Sequence, residues 1–311
     1  MLKYIIKRLG SGFLAIWFIA TATFFGMHMV PGDPLTSDKA LSPQIRKNLE
    51  VRYGLDKPLL VQYGVFLKNM AMGDFGISFT QENRQVNDII KEHFPISALL
   101  GILAIVFATI GGVLFGALTA LFRGRWPDYL IMLLVVFSVS IPSFVFAAFG
   151  QLGIMLFNDT FNTHLPIAGW GEFSHMIVPA LVLGLGTMAY LTRLMRSSML
   201  EIAHADFIRT AKAKGLSSRQ IFFKHQLRNA ILPLVTVLGP AIAGITTGGF
   251  VVELVFAIPG LGRYFVEAIQ QLDYTVIMGT TVFYGAFLVL IVIFVDILYG
   301  FIDPRIKITK S

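Results

Sequence analysis

Six histidines are the side chains of this 311-residue chain with the widest chemical repertoire, since an imidazole can bind a metal ion or move a proton near neutral pH. Their spacing contains no His-Glu-x-x-His pair or other metal-ligand pattern, and it suggests no serine–histidine–aspartate triad. The sequence has no cysteine, which excludes disulfides, iron–sulfur clusters and thiol catalysis. We therefore predict no metal site and no catalytic residue. The histidines are His28, His93, His164, His175, His204 and His225.

The composition indicates a membrane protein. Apolar residues make up 55% of the sequence and charged residues 14%, against about 25% charged in soluble domains, so the chain lacks the polar surface of a water-soluble globule. Six segments are apolar over roughly the 20 residues that a helix needs to cross a bilayer. The sequence thus predicts an all-α polytopic membrane protein with six transmembrane helices. They lie near residues 9–30, 96–122, 129–157, 176–194, 231–252 and 281–302.

The distribution of lysine and arginine predicts the orientation of these helices. Of the 25 basic residues, 16 lie in the N-terminal tail, in "RGRWPD", between Arg193 and Arg228, or after the sixth segment. The short loops on the opposite side hold only Arg263. Because cytoplasmic loops carry an excess of basic residues, both termini should be cytoplasmic.

A long polar segment, residues 31–95, separates the first two apolar segments. It has eight basic and eight acidic residues, and a loop of this length is translocated largely regardless of its charge. Balanced charge and aromatic residues favour a small, at least partly folded extracytoplasmic segment. We therefore divide the chain into an N-terminal tail with the first helix (1–30), this segment (31–95) and a core of five helices (96–311).

Two carboxylates accompany apolar segments. Asp296 lies inside "LIVIFVDILYGF", and an ionisable residue at membrane depth is unfavourable unless it is paired or hydrated. It is either a structural partner of an arginine or backbone group near the helix end, or part of a proton relay. Glu253 precedes a sharp turn at Pro259, Gly260 and Gly262. Glu253 and Asp296 are candidates for a transmembrane pathway or gate, and an interfacial carboxylate facing water is the alternative for Glu253.

The densest positive charge lies in one hydrophilic loop, about residues 195–230. Apolar residues recur there at intervals of four and predict a short amphipathic helix. Gly215 follows where a glycine ends a helix, and Ser217 with Gln220 has the pattern of a capping box that opens a second helix. The loop is therefore predicted to be a helix–turn–helix at the membrane surface. The apolar stripe consists of Met199, Ala203, Phe207 and Ala211.

Two functions are open for this loop from its residues alone. It could be an anchor whose lysines meet anionic lipid. It could also be a docking element, since a short helix with small side chains and a glycine turn is compact enough to lie in a groove of a cytoplasmic partner. We do not expect nucleic acid to bind.

The loop resembles the cytoplasmic signature loop of permease subunits of binding-protein-dependent ABC importers. The general pattern reads Glu-Ala-Ala, three residues, Gly, nine residues, Ile-x-Leu-Pro, and "RTAKAKG" followed by "HQLRNAILP" is similar to the form in the peptide and nickel group. Ala211, Gly215 and Leu227 keep the pattern. The departures are themselves typical of the peptide subgroup, and they put in doubt a salt bridge from the general glutamate. They are Arg209, Thr210, His225 and Arg228, in place of Glu, Ala, Ile and Pro.

The resemblance extends along nearly the whole chain. The stretches "MVPGDP", "YGLDKPLLVQY", "MGDFGISF", "FAIPGLGRYFVEAI" and "VDILYGFIDPRIK" look like the B-type permeases of oligopeptide ABC importers, within the peptide/nickel permease family. Each motif alone is only a turn signal, but together they are specific for this family. The chain is therefore expected to be a multi-pass protein of a bacterial cytoplasmic (inner) membrane.

The resemblance implies a set of partners. Such importers combine two homologous permeases, two cytoplasmic ATPases that bind ATP and Mg, and an extracellular or periplasmic peptide-binding protein. The chain itself has no G-x-x-x-x-G-K-[ST] phosphate loop, so we expect it to be a transport subunit without a cofactor of its own, and not an enzyme. Membrane lipid is a further partner. The resemblance also implies that the turn at Pro259, Gly260 and Gly262 lines the outward mouth of the pathway as a gate candidate, and an ordinary interfacial hairpin is the alternative. The residues that the resemblance assigns to ATPase docking are Arg209, Thr210, Ala211, Lys212, Gly215, Leu216, His225, Leu227 and Arg228.

Several functions are compatible with these observations. The main hypothesis is the permease of an oligopeptide importer that forms half of the pathway. Dipeptides, nickel or a metallophore are alternative cargoes within the same family. An ion-coupled secondary transporter, in which Asp296 would matter most, and a membrane-anchored scaffold or receptor are the remaining alternatives; we find no internal repeat of the kind that many secondary transporters show.

Overall fold

The structure is a computed structural model that describes the backbone of residues 2–30, 51, 54–81, 83–247 and 249–302. Side chains are described in these ranges except for residues 2–5, 247 and 296–302. The predicted "PGDP" turn, most of the first half of the outer segment and the C-terminal "DPRIK" therefore lie outside the described residues.

The described chain is almost wholly helical. Five of the described helices are each long and apolar enough to cross a bilayer, and a pair of helices over residues 218–246 forms a sixth candidate span that bends by 41°. An all-helical polytopic membrane protein, as predicted, is confirmed. In chain order the helices are α1 (Leu2–Met29), α2 (Leu59–Ala71), α3 (Val86–Leu121), α4 (Trp126–Ser140), α5 (Ser143–Phe161), α6 (Ser174–Ile202), α7 (Asp206–Ala213), α8 (Ser218–Ala230), α9 (Leu232–Thr247), α10 (Phe250–Val255), α11 (Leu261–Gln270) and α12 (Tyr274–Ile302).

Two spans begin before the apolar segments that predict them. Helix α3 starts at Val86, well before residue 96, and its first turn carries Asp88, where the helix dipole favours a negative charge. Helix α12 starts at Tyr274, well before residue 281. Hydropathy marks only the part of a helix that lies in hydrocarbon, whereas the hydrogen-bond ladder continues into the polar interface.

The third predicted span is broken in the structure. Helix α4 ends at Ser140, and α5 begins at Ser143 after Pro142, which has no N–H to continue the ladder. Asp128 at the start of α4 contacts Arg196 near the end of α6, while Gly150 of α5 lies against Val178 near its start. The two helices therefore run antiparallel along α6 as one interrupted span.

The chain forms two compact units. The first comprises residues 1–96 and 259–311, and the second comprises Ser97–Ile258. The chain thus passes between units inside α3 and again directly before Pro259. The proposed division at residues 30 and 95 is a different way to partition the sequence and stays a prediction.

In the first unit, α1 packs along α12 by close approach at glycines. A Cβ on Gly12 would lie 2.9 Å from side-chain atoms of Val289 and Ile293, and one on Gly285 would lie 2.8 Å from Ile19. Small residues let membrane helices approach where no hydrophobic force drives them together. Farther along α1, Phe24 is buried against aromatic rings of α2 and α12.

A buried carboxylate joins the outer polar segment to the start of α12. Asp273 is 1% exposed, and its Oδ2 accepts hydrogen bonds from the hydroxyls of Ser78 (2.5 Å) and Thr80 (2.9 Å) and from the N–H groups of Phe79 and Thr80. Its Oδ1 accepts from the N–H of Val276 at 3.1 Å and so caps α12. The sequence analysis missed this residue, although an aspartate directly before an apolar helix is an N-cap signal.

In the second unit, α3 and α6 approach each other closely at glycines of α3. A Cβ on Gly112 would lie 2.5 Å from Cβ of Leu191, and one on Gly116 would lie 2.5 Å from Cβ of Met195. Neither position leaves room for a larger side chain. The end of α6 is therefore fixed against α3 before the chain enters the basic loop.

Candidate functional site

The basic loop, residues 203–230, begins with helix α7 and a glycine turn. The N–H of Gly215 donates to the carbonyl of Lys212 (2.9 Å), and that of Leu216 donates to the carbonyl of Ala211 (3.3 Å). This pair of bonds is the Schellman arrangement, which needs a left-handed residue after the helix. Gly215 has φ +78°, so the predicted helix-ending role of this glycine is confirmed.

A capping box opens the second helix of the basic loop, also as predicted. The N–H of Ser217 donates to Oε1 of Gln220 (3.1 Å), and the N–H of Gln220 donates to Oγ of Ser217 (3.4 Å). Helix α8 then continues as a π-helix over Ile221–Leu227. The basic loop is thus a helix–turn–helix whose second arm continues into α9 through the 41° bend.

A small apolar core holds the two arms together. Ile208 and Ala211 of α7 are buried against Ile221 of α8, and Leu216 packs on them from the turn. The predicted stripe is wrong at Phe207, which is 45% exposed. Helix α6 continues to Ile202 and the chain turns before α7, so Met199 belongs to α6 and the helical phase restarts.

The predicted docking residues differ in exposure. Ala211 is buried and cannot contact a partner without displacing the loop core, so it supports the surface from below. Partly buried positions are Leu216, His225 and Leu227. The exposed positions are Arg209, Thr210, Lys212, Gly215 and Arg228.

The outer surface of the basic loop combines exposed aromatic rings with positive charge. Phe207 and Phe223 are exposed by 45% and 55%. Arg209 is 3.6 Å from Asp206, but both side chains are largely in solvent, so this ion pair contributes little. Such a surface can bind an apolar pocket with an acidic rim. The other exposed lysine and arginine side chains of the loop are Lys212, Lys214, Arg219, Lys224 and Arg228.

The basic loop is attached to the spans by a second apolar cluster. Met195 and Met199 of α6 are buried against Ala230, the last residue of the loop, and Leu234 of α9. Ile202, at the end of α6, packs on both this cluster and the core of the loop. The loop and the ends of its flanking helices therefore form one continuous packed body.

A partly buried ion pair joins α4 to α6 beside this body, with Asp128 buried and Arg196 partly exposed. Nε of Arg196 donates to Oδ1 of Asp128 and Nη2 donates to Oδ2, both at 2.9 Å. Oδ2 also accepts from the N–H of Gly124 at 3.0 Å. Sequence reasoning counted Arg196 only as a basic residue and missed the pair, because its partner lies far away in the sequence.

An open groove of about 520 Å³ lies among α6, α9 and the break between α4 and α5. Gly186 and Thr187 of α6 also line a second groove of about 430 Å³, so the two grooves adjoin. Hydroxyl and small residues make up much of this wall, which sequence reasoning did not identify. Other lining residues are Ser138, Ile141, Ser143, Tyr190, Thr236, Pro240, Ala241 and Gly244.

Glu253 lies in the second unit, in the first turn of α10. It is 1% exposed, so the alternative of a carboxylate facing water is wrong for this chain. A Cβ on Gly249 would lie 3.1 Å from its Oε1, which places the carboxylate at the N-terminal end of α10, where N–H groups favour negative charge.

The Pro259–Gly262 turn lies in the first unit. The carbonyl of Pro259 accepts a hydrogen bond from Nδ1 of His93 at 2.8 Å, and the His93 ring stacks on Tyr264 with ring centroids 4.0 Å apart. Gly260 precedes α11 as its N-cap residue, and Gly262 is buried in that helix. Asp296 lies on α12, and its side chain is outside the described part.

Comparison with known proteins agrees with this architecture. Residues 112–308 match the family described as "Binding-protein-dependent transport system inner membrane component", and residues 1–101 match "Binding-prot-dependent transport system membrane comp, N-term". The chain belongs to this family. Membership confirms the predicted resemblance and a membrane permease that is not itself an enzyme, and it gives no support to the ion-coupled carrier.

Individual relatives are similar over their whole length. The chain is 46% identical to the dipeptide transport system permease protein DppB of Bacillus subtilis, with both chains fully covered. It is 43% identical to the oligopeptide transport system permease protein OppB of Haemophilus influenzae and 40% identical to that of Escherichia coli, with 99% of this chain and 100% of each relative covered.

Proposed function

We propose that this chain is a permease subunit of an ATP-driven importer of short peptides and forms half of the transmembrane pathway. The observation that carries the proposal is the helix–turn–helix of the basic loop, in a chain that is similar along its whole length to dipeptide and oligopeptide permeases. The other half of the pathway comes from a second, homologous permease, and a binding protein delivers the cargo.

The basic loop is the docking element for a cytoplasmic ATPase. Its glycine turn and capping box fix the direction of α7, and the exposed Phe207, Arg209 and Lys212 present an apolar and basic surface. ATP and Mg are bound by the ATPase subunits. Closure of the ATPases on ATP moves α7, and the packed clusters beneath it carry this movement into the spans.

The protein lies in the bacterial inner (cytoplasmic) membrane with both termini in the cytoplasm. The distribution of basic residues supports this orientation, because the basic loop and the N-terminal tail are then on the cytoplasmic side. Asp273 and the Pro259–Gly262 turn, with its contact to His93, lie on the opposite side, where a binding protein delivers its cargo.

The cargo class is a peptide, and its preferred length is the quantity to measure. Relatives divide between dipeptide and oligopeptide systems. The motifs that resemble B-type permeases favour oligopeptides, while similarity to the Bacillus subtilis relative makes dipeptides the second candidate. If no peptide is transported, nickel or a metallophore is the alternative cargo.

The test is uptake into proteoliposomes that hold this chain with its second permease, its ATPases and its binding protein. We expect labelled dipeptide or tetrapeptide to accumulate only with internal ATP, and to accumulate less when Arg209→Ala and Lys212→Ala are combined. Lys91→Ala, which removes an exposed charge outside the basic loop, is the matched control. ATP-independent uptake driven by an ion gradient alone would refute the proposal.

A further inference from the structure

The ion pair between Asp128 and Arg196 is built to hold two helices in a fixed register. Both bonds are 2.9 Å long, the Asp128 residue is 4% exposed, and the N–H of Gly124 holds the same carboxylate from the loop that precedes α4. A bidentate contact between guanidinium and carboxylate fixes direction as well as distance.

This pair is also the only polar contact between α4 and α6 in the part of the chain that the structure describes. A bidentate contact between guanidinium and carboxylate keeps its geometry at only one relative position of the two helices. The register of α4 on α6 therefore depends on Asp128 and Arg196.

On one side, the ion pair is linked through α6 to the docking element. Arg196 lies one residue after Met195 and three before Met199, both of which are buried in the cluster that joins α6 to the helices after the basic loop. Ile202 at the end of the same helix packs on the apolar core that α7 and α8 form. A displacement of α7 therefore moves the helical turns that carry the guanidinium.

On the other side, the ion pair is linked through α4 to the break in the third span. Helix α4 starts next to Asp128 and ends where Pro142 interrupts the ladder, so α4 can move about this point without breaking α5. Ile141 and Ser143 on either side of the break line the 520 Å³ groove. A movement of α4 thus changes the width of the groove.

We propose that Asp128 and Arg196 are positioning residues that transmit movement of the basic loop to the broken span and so couple ATP hydrolysis to the opening of the groove. This inference rests on the proposed function. It goes further by assigning the coupling to one side-chain pair that contacts neither ATPase nor cargo.

The test uses the complete importer in proteoliposomes and measures both ATP hydrolysis and peptide uptake. Arg196→Lys keeps the positive charge and the membrane orientation but loses the bidentate contact. We expect it to retain the ATPase and to hydrolyse ATP, while the number of peptides imported per ATP falls at least about threefold. Arg193→Lys, an exposed residue one turn earlier on α6, should match the wild type.

The partner residue provides a second variant. Asp128→Asn should lower the same ratio, and the double variant Asp128→Asn with Arg196→Lys should be no worse than either single one, because the two side chains act as a unit. Additive losses, or an unchanged ratio in Arg196→Lys, would overturn the inference. A wild type that shows no ATP-dependent uptake would instead refute the proposed function.

A distance measurement separates lost coupling from lost folding. Because the chain has no cysteine, spin labels can be placed on cysteines introduced at Val139 of α4 and Tyr190 of α6, two exposed residues that line the grooves. We expect ATP to change the distance between them in the wild type, and to leave it unchanged in an Arg196→Lys importer that still binds its ATPases. An equal change in both would overturn the inference.

Discussion

At the scale of single residues, Gly215 allows conformation to be tested apart from packing. Its φ of +78° is strained for residues with a side chain, yet a Cβ there would have no atom within 4 Å. Gly215→Val should therefore weaken the turn by about 1–2 kcal/mol through the backbone alone. We expect less ATPase to co-purify with this variant and peptide uptake to fall, while its level in the membrane is unchanged.

Asparagine is the matched control at the same position. It tolerates the left-handed region better than other residues with a side chain, so Gly215→Asn should retain most of the ATPase and most of the uptake. Equal loss in both variants would show that the glycine is needed for close approach of the partner. Normal uptake in Gly215→Val would contradict docking through this turn.

The sequence predicts individual residues well where a local rule decides them. Gly215, Ser217 and Gln220 follow from capping rules that need only neighbours in the chain. Ile208, and not Phe207, lies on the buried face of α7, because the chain turns after the end of α6 and the helical phase restarts in α7. Arg196 and Asp128 come together only because α4 packs on α6, and no local sequence pattern predicts that contact.

At the scale of elements, the groove wall is the pathway surface that we propose, and its glycines allow a direct test. Cβ atoms on Gly186 and Gly244 would have no atom within 4 Å, so a larger side chain fits without disturbing the helices. If cargo passes along this wall, Gly186→Leu or Gly244→Leu narrows the route. We expect peptide uptake to fall severalfold while ATP hydrolysis continues.

Gly153 provides the control for this prediction. It lies on α5 with the same open surroundings and does not line either groove. Gly153→Leu should therefore leave uptake at the level of the wild type. Normal uptake in both groove variants would show that cargo does not pass along this groove. Glu253 and the Pro259–Gly262 turn would then remain as pathway candidates.

The sequence predicts the spans because apolar length is a strong signal, but it does not predict their interruptions. Pro142 lies inside one continuous apolar run, and membrane helices often keep a proline within a helix. Here one helix ends before Pro142 and the next begins after it, whereas Pro95 lies inside the continuous helix α3. The π-helix at Ile221–Leu227 has no composition that would distinguish it from an α-helix.

At the scale of the whole molecule, the arrangement of charge and the number of candidate spans together predict which loops share a side of the membrane. Counting α4 with α5 as one interrupted span and α8 with α9 as another gives six candidate spans, and we predict that the basic loop lies on the same side as the N-terminus. The loop between α5 and α6 then lies on the opposite side, and it contains no lysine or arginine.

Because the chain has no cysteine, this topology can be tested with single cysteines. Ser218→Cys in the basic loop and His164→Cys between α5 and α6 both replace exposed residues. In sealed right-side-out vesicles, an impermeant thiol reagent should label the cysteine at position 164 and should label that at 218 only after detergent is added, because the positive-inside rule keeps the basic loop in the cytoplasm. Labelling of position 218 in sealed vesicles would place the loop outside, where no ATPase could reach it, and the docking proposal would fail with the topology.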